Sequence, residues 1–231
     1  MTLGILGGLG PAATVYFYDM LTSMTQASCD QEHLDVVISS RASTPDRTAY
    51  ILGTSDENPA ELMVSDAKKL VNFGADVIAI PCNTAHYFYE EVSTNVCVPV
   101  MNIIEETCKA VKISGGTCVG ILATEGTVKS LAYHTVAQKM GLECVAPTQE
   151  GQRIISSIIY DKIKQGRSVD IEVFMSVANE LFSCGADKIV LGCTELSLLC
   201  REHNFDDRFV DSLKSLAISV LKRFNKNIIQ Y

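Results

Sequence analysis

Two cysteines stand in the same phrase, half a chain apart. Gly74-Ala75-Asp76-Val77-Ile78-Ala79-Ile80-Pro81-Cys82-Asn83-Thr84 returns as Gly185-Ala186-Asp187-Lys188-Ile189-Val190-Leu191-Gly192-Cys193-Thr194-Glu195. The separation is 193 − 82 = 111 residues in a chain of 231. In each copy an apolar run ends at a cysteine, a threonine follows, and a helical stretch begins. A thiol placed there lies near unpaired N–H groups and the positive end of a helix dipole, which lower its pKa and supply thiolate. The same N–H groups, with the hydroxyls of Thr84 and Thr194, suit a carboxylate. Two such halves facing one another set one thiol on each side of a bound molecule. One thiolate then removes a proton from an acidic C–H on one face of a stereocentre, and the other thiol delivers one to the opposite face. N–H donors and cations around the carboxylate stabilise the enediolate that develops. A Cys-His hydrolase, using His86 near Cys82, needs a single thiol and leaves the second unexplained. The chain holds nine cysteines and no Cys-x-x-Cys pair, which argues against zinc ribbons and dithiol redox motifs. An isolated cysteine is ordinarily a small buried hydrophobe. The duplicated setting separates Cys82 and Cys193 from the other seven.

The elements that must position these residues follow the same duplication. Gly4-Ile5-Leu6-Gly7 returns as Gly120-Ile121-Leu122-Ala123. Apolar runs predict strands over 3–7, 36–40, 77–81, 117–122, 143–146 and 188–192. Amphipathic stretches predict helices over 11–28, 59–73, 85–92, 103–112, 127–139, 151–165, 170–184, 195–203 and 212–224. Continuous apolar strands alternating with helices indicate an α/β fold of two pseudo-symmetric half-domains, each a mostly parallel sheet flanked by helices. Gly115-Gly116 divides them into 1–115, carrying Cys82, and 116–231, carrying Cys193, with exchange of the C-terminal helix between halves left open. Ligands of such sheets bind beyond the carboxyl ends of the strands, where both cysteines fall, so the active site belongs at the interface of the halves. Segment 41–58 lacks periodicity and reads as a long loop at that same end.

Composition narrows the function classes. Hydrophobic residues at 47% against 20% charged argue for a folded globular chain. A net charge of −8 with no Lys/Arg run removes the usual footprint for nucleic acid or anionic membrane. Residues 1–18 carry no charge, but four glycines and Pro11 interrupt them and no positive leader precedes them, so they read as a buried strand and turn. Free thiols and the absence of a secretory pattern point to a cytoplasmic location. Gly8-Leu9-Gly10-Pro11-Ala12-Ala13 fits a dinucleotide fingerprint, yet the second strand ends in Ser39-Ser40-Arg41 without the acidic residue that pattern expects. Pro11 instead suits the first turn of a helix.

At residues 4–11 (GILGGLGP), 81–86 (PCNTAH) and 192–195 (GCTE) the chain resembles the aspartate/glutamate racemase superfamily, across essentially its whole length. GGLGP, the loop 43–48 (STPDRT) and PCNTAH bring it nearest to aspartate racemases. The resemblance implies a racemase of acidic amino acids that works without cofactor, pyridoxal phosphate or metal, assembled as a homodimer. It implies catalytic roles for Cys82 and Cys193, with Cys193 deprotonating the L-isomer and Cys82 the D-isomer. Asn83, Thr84 and Thr194 are expected at the α-carboxylate, Arg47 at the side-chain carboxylate, Lys164 at the substrate and Leu9 in the pocket wall. Lys162 competes with Lys164 for its register. Arg47 by itself reads equally as a solvated loop charge, Lys164 as a complement to a helix dipole, and Asp211 as a helix cap. His86 and Glu195 receive no role. Glutamate or broad-specificity racemisation, a maleate isomerase-like reaction and a non-enzymatic acidic-ligand binder are the alternatives.

Overall fold

A computed structural model describes residues 1–229. The first repeat runs β1 (Thr2–Gly7), α1 (Pro11–Met24), β2 (Asp35–Ser40), α2 (Arg47–Ile51), α3 (Ala60–Asn72) and β3 (Val77–Ala79). It continues through α4 (Tyr89–Ser93), β4 (Val100–Met101) and α5 (Ile103–Ile113). The second comprises β5 (Cys118–Leu122), α6 (Glu125–Lys129), α7 (Ala132–Lys139), β6 (Glu143–Val145) and α8 (Gln149–Ser157). It closes with α9 (Ile171–Ser183), β7 (Lys188–Leu191), β8 (Phe209–Asp211) and α10 (Ser212–Arg223). Each repeat builds a four-stranded, fully parallel sheet, in the orders β2-β1-β3-β4 and β6-β5-β7-β8. Adding four to each strand number of the first order produces the second. Among the described residues no helix is long and apolar enough to cross a membrane.

The repeated residues have matching structural work. Gly4 and Gly120 occupy the central strands, where a Cβ would stand 2.9 Å from the Ala75 side chain and 2.7 Å from the Ile189 side chain. Their bareness lets α3 and α9 lie close on β1 and β5, Leu70 and Leu181 being the next neighbours. Gly74 and Gly185, at φ +94° and +97°, turn the chain after those helices in a region that a Cβ disfavours. Asp76 and Asp187 then clip the strand starts: Thr2 N–H donates to Asp76 Oδ2 at 2.7 Å and Thr117 N–H to Asp187 Oδ2 at 2.8 Å.

Three apolar clusters fill the layers. One covers the outer face of the first sheet with α3, and one the outer face of the second with α9. The third joins Leu3 and Ile5 of β1, Phe17 of α1, Ile103 of α5, Ile121 of β5, Tyr133 of α7 and Leu216 of α10. It draws on residues from both sides of the 115/116 boundary. Within it α10 packs on α1 and α5, and α5 packs on α7 and β8.

Several predicted elements break up. Residues 41–58 contain α2, begun by Asp46, whose carboxylate accepts from Ala49 N–H at 2.9 Å. The helix expected over 127–139 is two, because Leu131 adopts φ 56° between α6 and α7. That over 151–165 continues from α8 as a π-helical turn (Ile158–Lys162) and a 3-10 turn (Ile163–Gln165). The stretches after both cysteines open as 3-10 turns, Thr84–Phe88 and Leu196–Arg201. Strands β4 and β8, of two and three residues, are too short to leave a pattern in the sequence.

Asp187 accepts from Thr117 N–H, Thr117 hydroxyl and Cys118 N–H. Burial acts to raise its pKa, and these bonds reverse the sign and lower it. Asp187→Ala should lower unfolding free energy by about 1–2 kcal/mol, measured by urea denaturation. An unchanged midpoint would remove the clip from the account of the repeat.

Candidate active site

The carboxyl ends of the central strands of both sheets converge on one cleft, lined by residues of both repeats. β1 runs into the turn that carries Leu9, β3 into Cys82-Asn83-Thr84, β5 into Thr124, and β7 into Cys193-Thr194-Glu195. Arg47 enters from α2, and Tyr160 and Lys164 from the irregular turns after α8. All eight residues expected at the site line it. Its cavity of about 20 Å³ has room for roughly one water molecule.

Arg47 is fastened by backbone carbonyls alone. Its Nη1 donates to Pro45 O at 2.8 Å and Thr44 O at 3.2 Å, and its Nη2 to Leu9 O at 2.8 Å. Nε is buried and has no partner. Among the described residues no carboxylate comes within ion-pair distance of this guanidinium. A half-buried cation with a buried, open donor is an anion site by its own chemistry.

Asn83 faces the scaffold more than the cleft. Its Nδ2 donates to Ser212 Oγ at 2.9 Å, and its Oδ1 accepts from Tyr133 hydroxyl at 2.6 Å. Ser212 in turn donates to Leu191 O at 2.7 Å, tying the Cys82 loop to the strand that leads to Cys193. Thr84 closes a triangle of hydroxyls with Thr124 and Thr127, with sides of 2.9, 2.9 and 3.0 Å. Asp211 caps α10 at Leu213 N–H and accepts from Ser197 hydroxyl, steadying the turn after Cys193.

His86 has a defined tautomer. Ile103 N–H donates to its Nε2 at 3.1 Å, so Nδ1 carries the proton and donates to Cys82 O at 2.8 Å. Burial lowers its pKa to about 4. It is therefore a neutral brace between the Cys82 loop and α5, too weakly basic for a hydrolase dyad at neutral pH.

The thiols depart from expectation. Both were expected with lowered pKa, and both are pushed up. Burial raises Cys82, with Arg47 only partly opposing it. Burial and the Glu195 carboxylate raise Cys193 well above the ordinary thiol. Desolvation of a charge outweighs the few N–H groups of a 3-10 turn. Cys193 Sγ donates to Glu195 Oε2 at 3.0 Å, while Lys164 Nζ lies 3.3 Å from Glu195 Oε1.

The Asp/Glu/hydantoin racemase family pattern matches residues 6–219. The chain belongs to that family. As a racemase it is an isomerase, and its two sheets and flanking helices match solved racemase structures. The aspartate racemase of Picrophilus torridus superposes with a TM-score of 0.86 at 30% identity, covering 99% of this chain and 96% of that one. The broad specificity amino-acid racemase RacX of Bacillus subtilis is 30% identical over 227 residues, 96% of this chain and 97% of its own. The glutamate racemase of Aquifex aeolicus is 30% identical over 179 residues, 72% of this chain and 67% of its own.

Within this racemase, sequence reasoning missed Thr48, Thr124, Thr127, Tyr160 and the use of Glu195. Thr124 was within reach, because the 116-residue offset between Gly4 and Gly120 carries the Gly8 turn onto it. Tyr160 and Thr48 meet by a 3.0 Å hydroxyl bond across 112 residues, and no local signal marks such a pair.

The neutral His86 has a consequence for acid stability. Its folded pKa of about 4 lies below the ordinary histidine value of 6.5, so the unfolded chain takes up the proton first. His86 should therefore remove up to about 3 kcal/mol of stability as pH falls from 6.5 to 4. Chemical denaturation of wild type and His86→Gln across that range should show the steeper loss in wild type. Parallel curves would sink the assignment of a neutral imidazole.

Proposed function

We propose that this racemase interconverts L- and D-aspartate by transferring the α-proton between Cys82 and Cys193. The observation that carries the reading is the convergence of both thiols, at equivalent positions of two repeats, on one cleft. The acidic character of the substrate rests on Arg47, a cation with an unpartnered buried Nε and no carboxylate of its own. Among dicarboxylates aspartate is singled out by the P. torridus relative, which carries that activity in its name.

In this mechanism the side-chain carboxylate pairs with Arg47 and the α-carboxylate with the Thr84 and Thr194 hydroxyls and nearby backbone N–H groups. Asn83 contributes through its backbone, since its side-chain amide is already engaged. Cys193 as thiolate removes the proton from L-aspartate, and Cys82 as thiol protonates the other face. The D-isomer reverses the roles. Charge on the enediolate is met by prearranged donors in a partly enclosed site, where such donors act more strongly than in bulk water. No cofactor enters the sequence of steps. The B. subtilis relative favours a second reading, broad specificity, because one methylene of substrate length separates competing substrates by only about 1–3 kcal/mol.

L-Aspartate in D₂O, without added cofactor, should lose its circular dichroism to zero while its α-position fills with deuterium. Cys82→Ala and Cys193→Ala should each reduce racemisation by about a hundredfold or more. Cys82→Ala should still exchange the α-proton of L-aspartate faster than that of D-aspartate. Unchanged optical activity with a retained α-proton would reject aspartate, and faster decay with glutamate or an apolar amino acid would establish the broader substrate range.

A further inference from the structure

The two thiols have unequal partners. Cys82 stands near Arg47 and has no carboxylate bonded to it, whereas Cys193 donates to Glu195 Oε2 at 3.0 Å. The other oxygen of Glu195 faces Lys164 Nζ at 3.3 Å. Glu195 is 8% exposed in its side chain and Lys164 32%, so the carboxylate is the inner member of the pair and the ammonium the outer. Glu195 also abuts the glycine turn, where a Cβ on Gly10 would stand 2.5 Å from Oε1. The cleft as it stands has room for about one water. A dicarboxylate needs more room than that, and a change of partners among the charged side chains that line the cleft would provide it.

We propose that substrate binding exchanges carboxylates at Lys164, the side-chain carboxylate held by Arg47 also replacing Glu195 on the ammonium, and that Glu195 then takes the Cys193 proton. The S–H bond of Cys193 breaks and an O–H bond forms on Glu195 Oε2, leaving the thiolate that attacks the α-proton. Removing a cation from a carboxylate favours its protonated form, and this is the driving force for the transfer. The exchange resolves a difficulty of the buried site. Burial and Glu195 hold Cys193 as a thiol at rest, yet the reaction needs a thiolate. It also keeps the reactive anion from forming until substrate is present. Burial alone would depress the Lys164 ammonium, but the Glu195 carboxylate raises it, so a cation awaits the incoming carboxylate. This inference rests on the reading of the substrate as a dicarboxylic amino acid.

Succinate, a dicarboxylate without an α-amino group, is the probe, and Cys82→Ala leaves Cys193 as the single thiol of the cleft. Calorimetry measures binding, and the ultraviolet difference absorbance of thiolate measures proton loss at neutral pH. The expected result is one new thiolate per bound succinate in Cys82→Ala. Cys82→Ala/Glu195→Gln should bind succinate at least as tightly and show no thiolate, and Cys82→Ala/Glu195→Asp should recover part of the signal. In the Cys82-containing enzyme, Glu195→Gln should lower kcat by about a hundredfold or more with KM unchanged or reduced. Binding without thiolate, or the same thiolate in the Gln variant, would overturn the exchange and leave the racemase reading intact. Failure of succinate to bind either protein would overturn the dicarboxylate reading and the exchange with it.

Discussion

Both repeats aim the carboxyl ends of their strands at one cleft because the helices between them share a single apolar core. Leu3 and Ile5 from one sheet and Val119 and Ile121 from the other close on α1, α5, α7 and α10. Neither sheet could bury its inner face without those helices. α10 belongs by sequence to the second repeat and packs on α1 of the first, so the two repeats are held by apolar contact across their boundary. Polar cross-links follow from that packing: Asn83 to Ser212, Thr84 to Thr124, and Tyr160 to Thr48. Each spans the two repeats within or beside the cleft and aligns one wall with the other.

The cost of that burial is electrostatic. A thiolate removed from water is unfavourable, and both thiols are raised accordingly. The charged side chains around them respond in different ways on the two walls. Arg47 is pinned by carbonyls and keeps a donor free, while Lys164 and Glu195 satisfy one another. The fold is duplicated, but its electrostatics are not. Two thiols in equivalent backbone positions therefore work from different resting states, which suits a substrate pair that is itself mirror-related.

Much of this was legible in the sequence. The 111-residue repeat gave the two halves, the central strands and both cysteines, because glycine, aspartate and cysteine at those positions answer to local needs: close helix packing at Gly4 and Gly120, a turn at Gly74 and Gly185, a clip at Asp76 and Asp187. Six of the eight expected site residues reach the cleft for the same reason, since each sits just after a strand, while Arg47 comes from α2 and Lys164 from the irregular turns after α8. Elements whose character depends on neighbours escaped. Leu131 breaks a helix with no glycine or proline to announce it, and β4 and β8 exist only by pairing with β3 and β7.

The chain by itself determined the α/β order, the duplication and which residues could do chemistry, since these rest on periodicity and short-range stereochemistry. Tertiary structure alone decided their chemical state. His86 is neutral because Ile103 and burial make it so. Asn83 is a strut because Ser212 and Tyr133 stand 129 and 50 residues away in sequence and within hydrogen-bond distance in space. Cys193 rests as a thiol because burial and the Glu195 carboxylate disfavour its anion. Protonation depends on distance and dielectric, and both are set only when the two repeats close on one another.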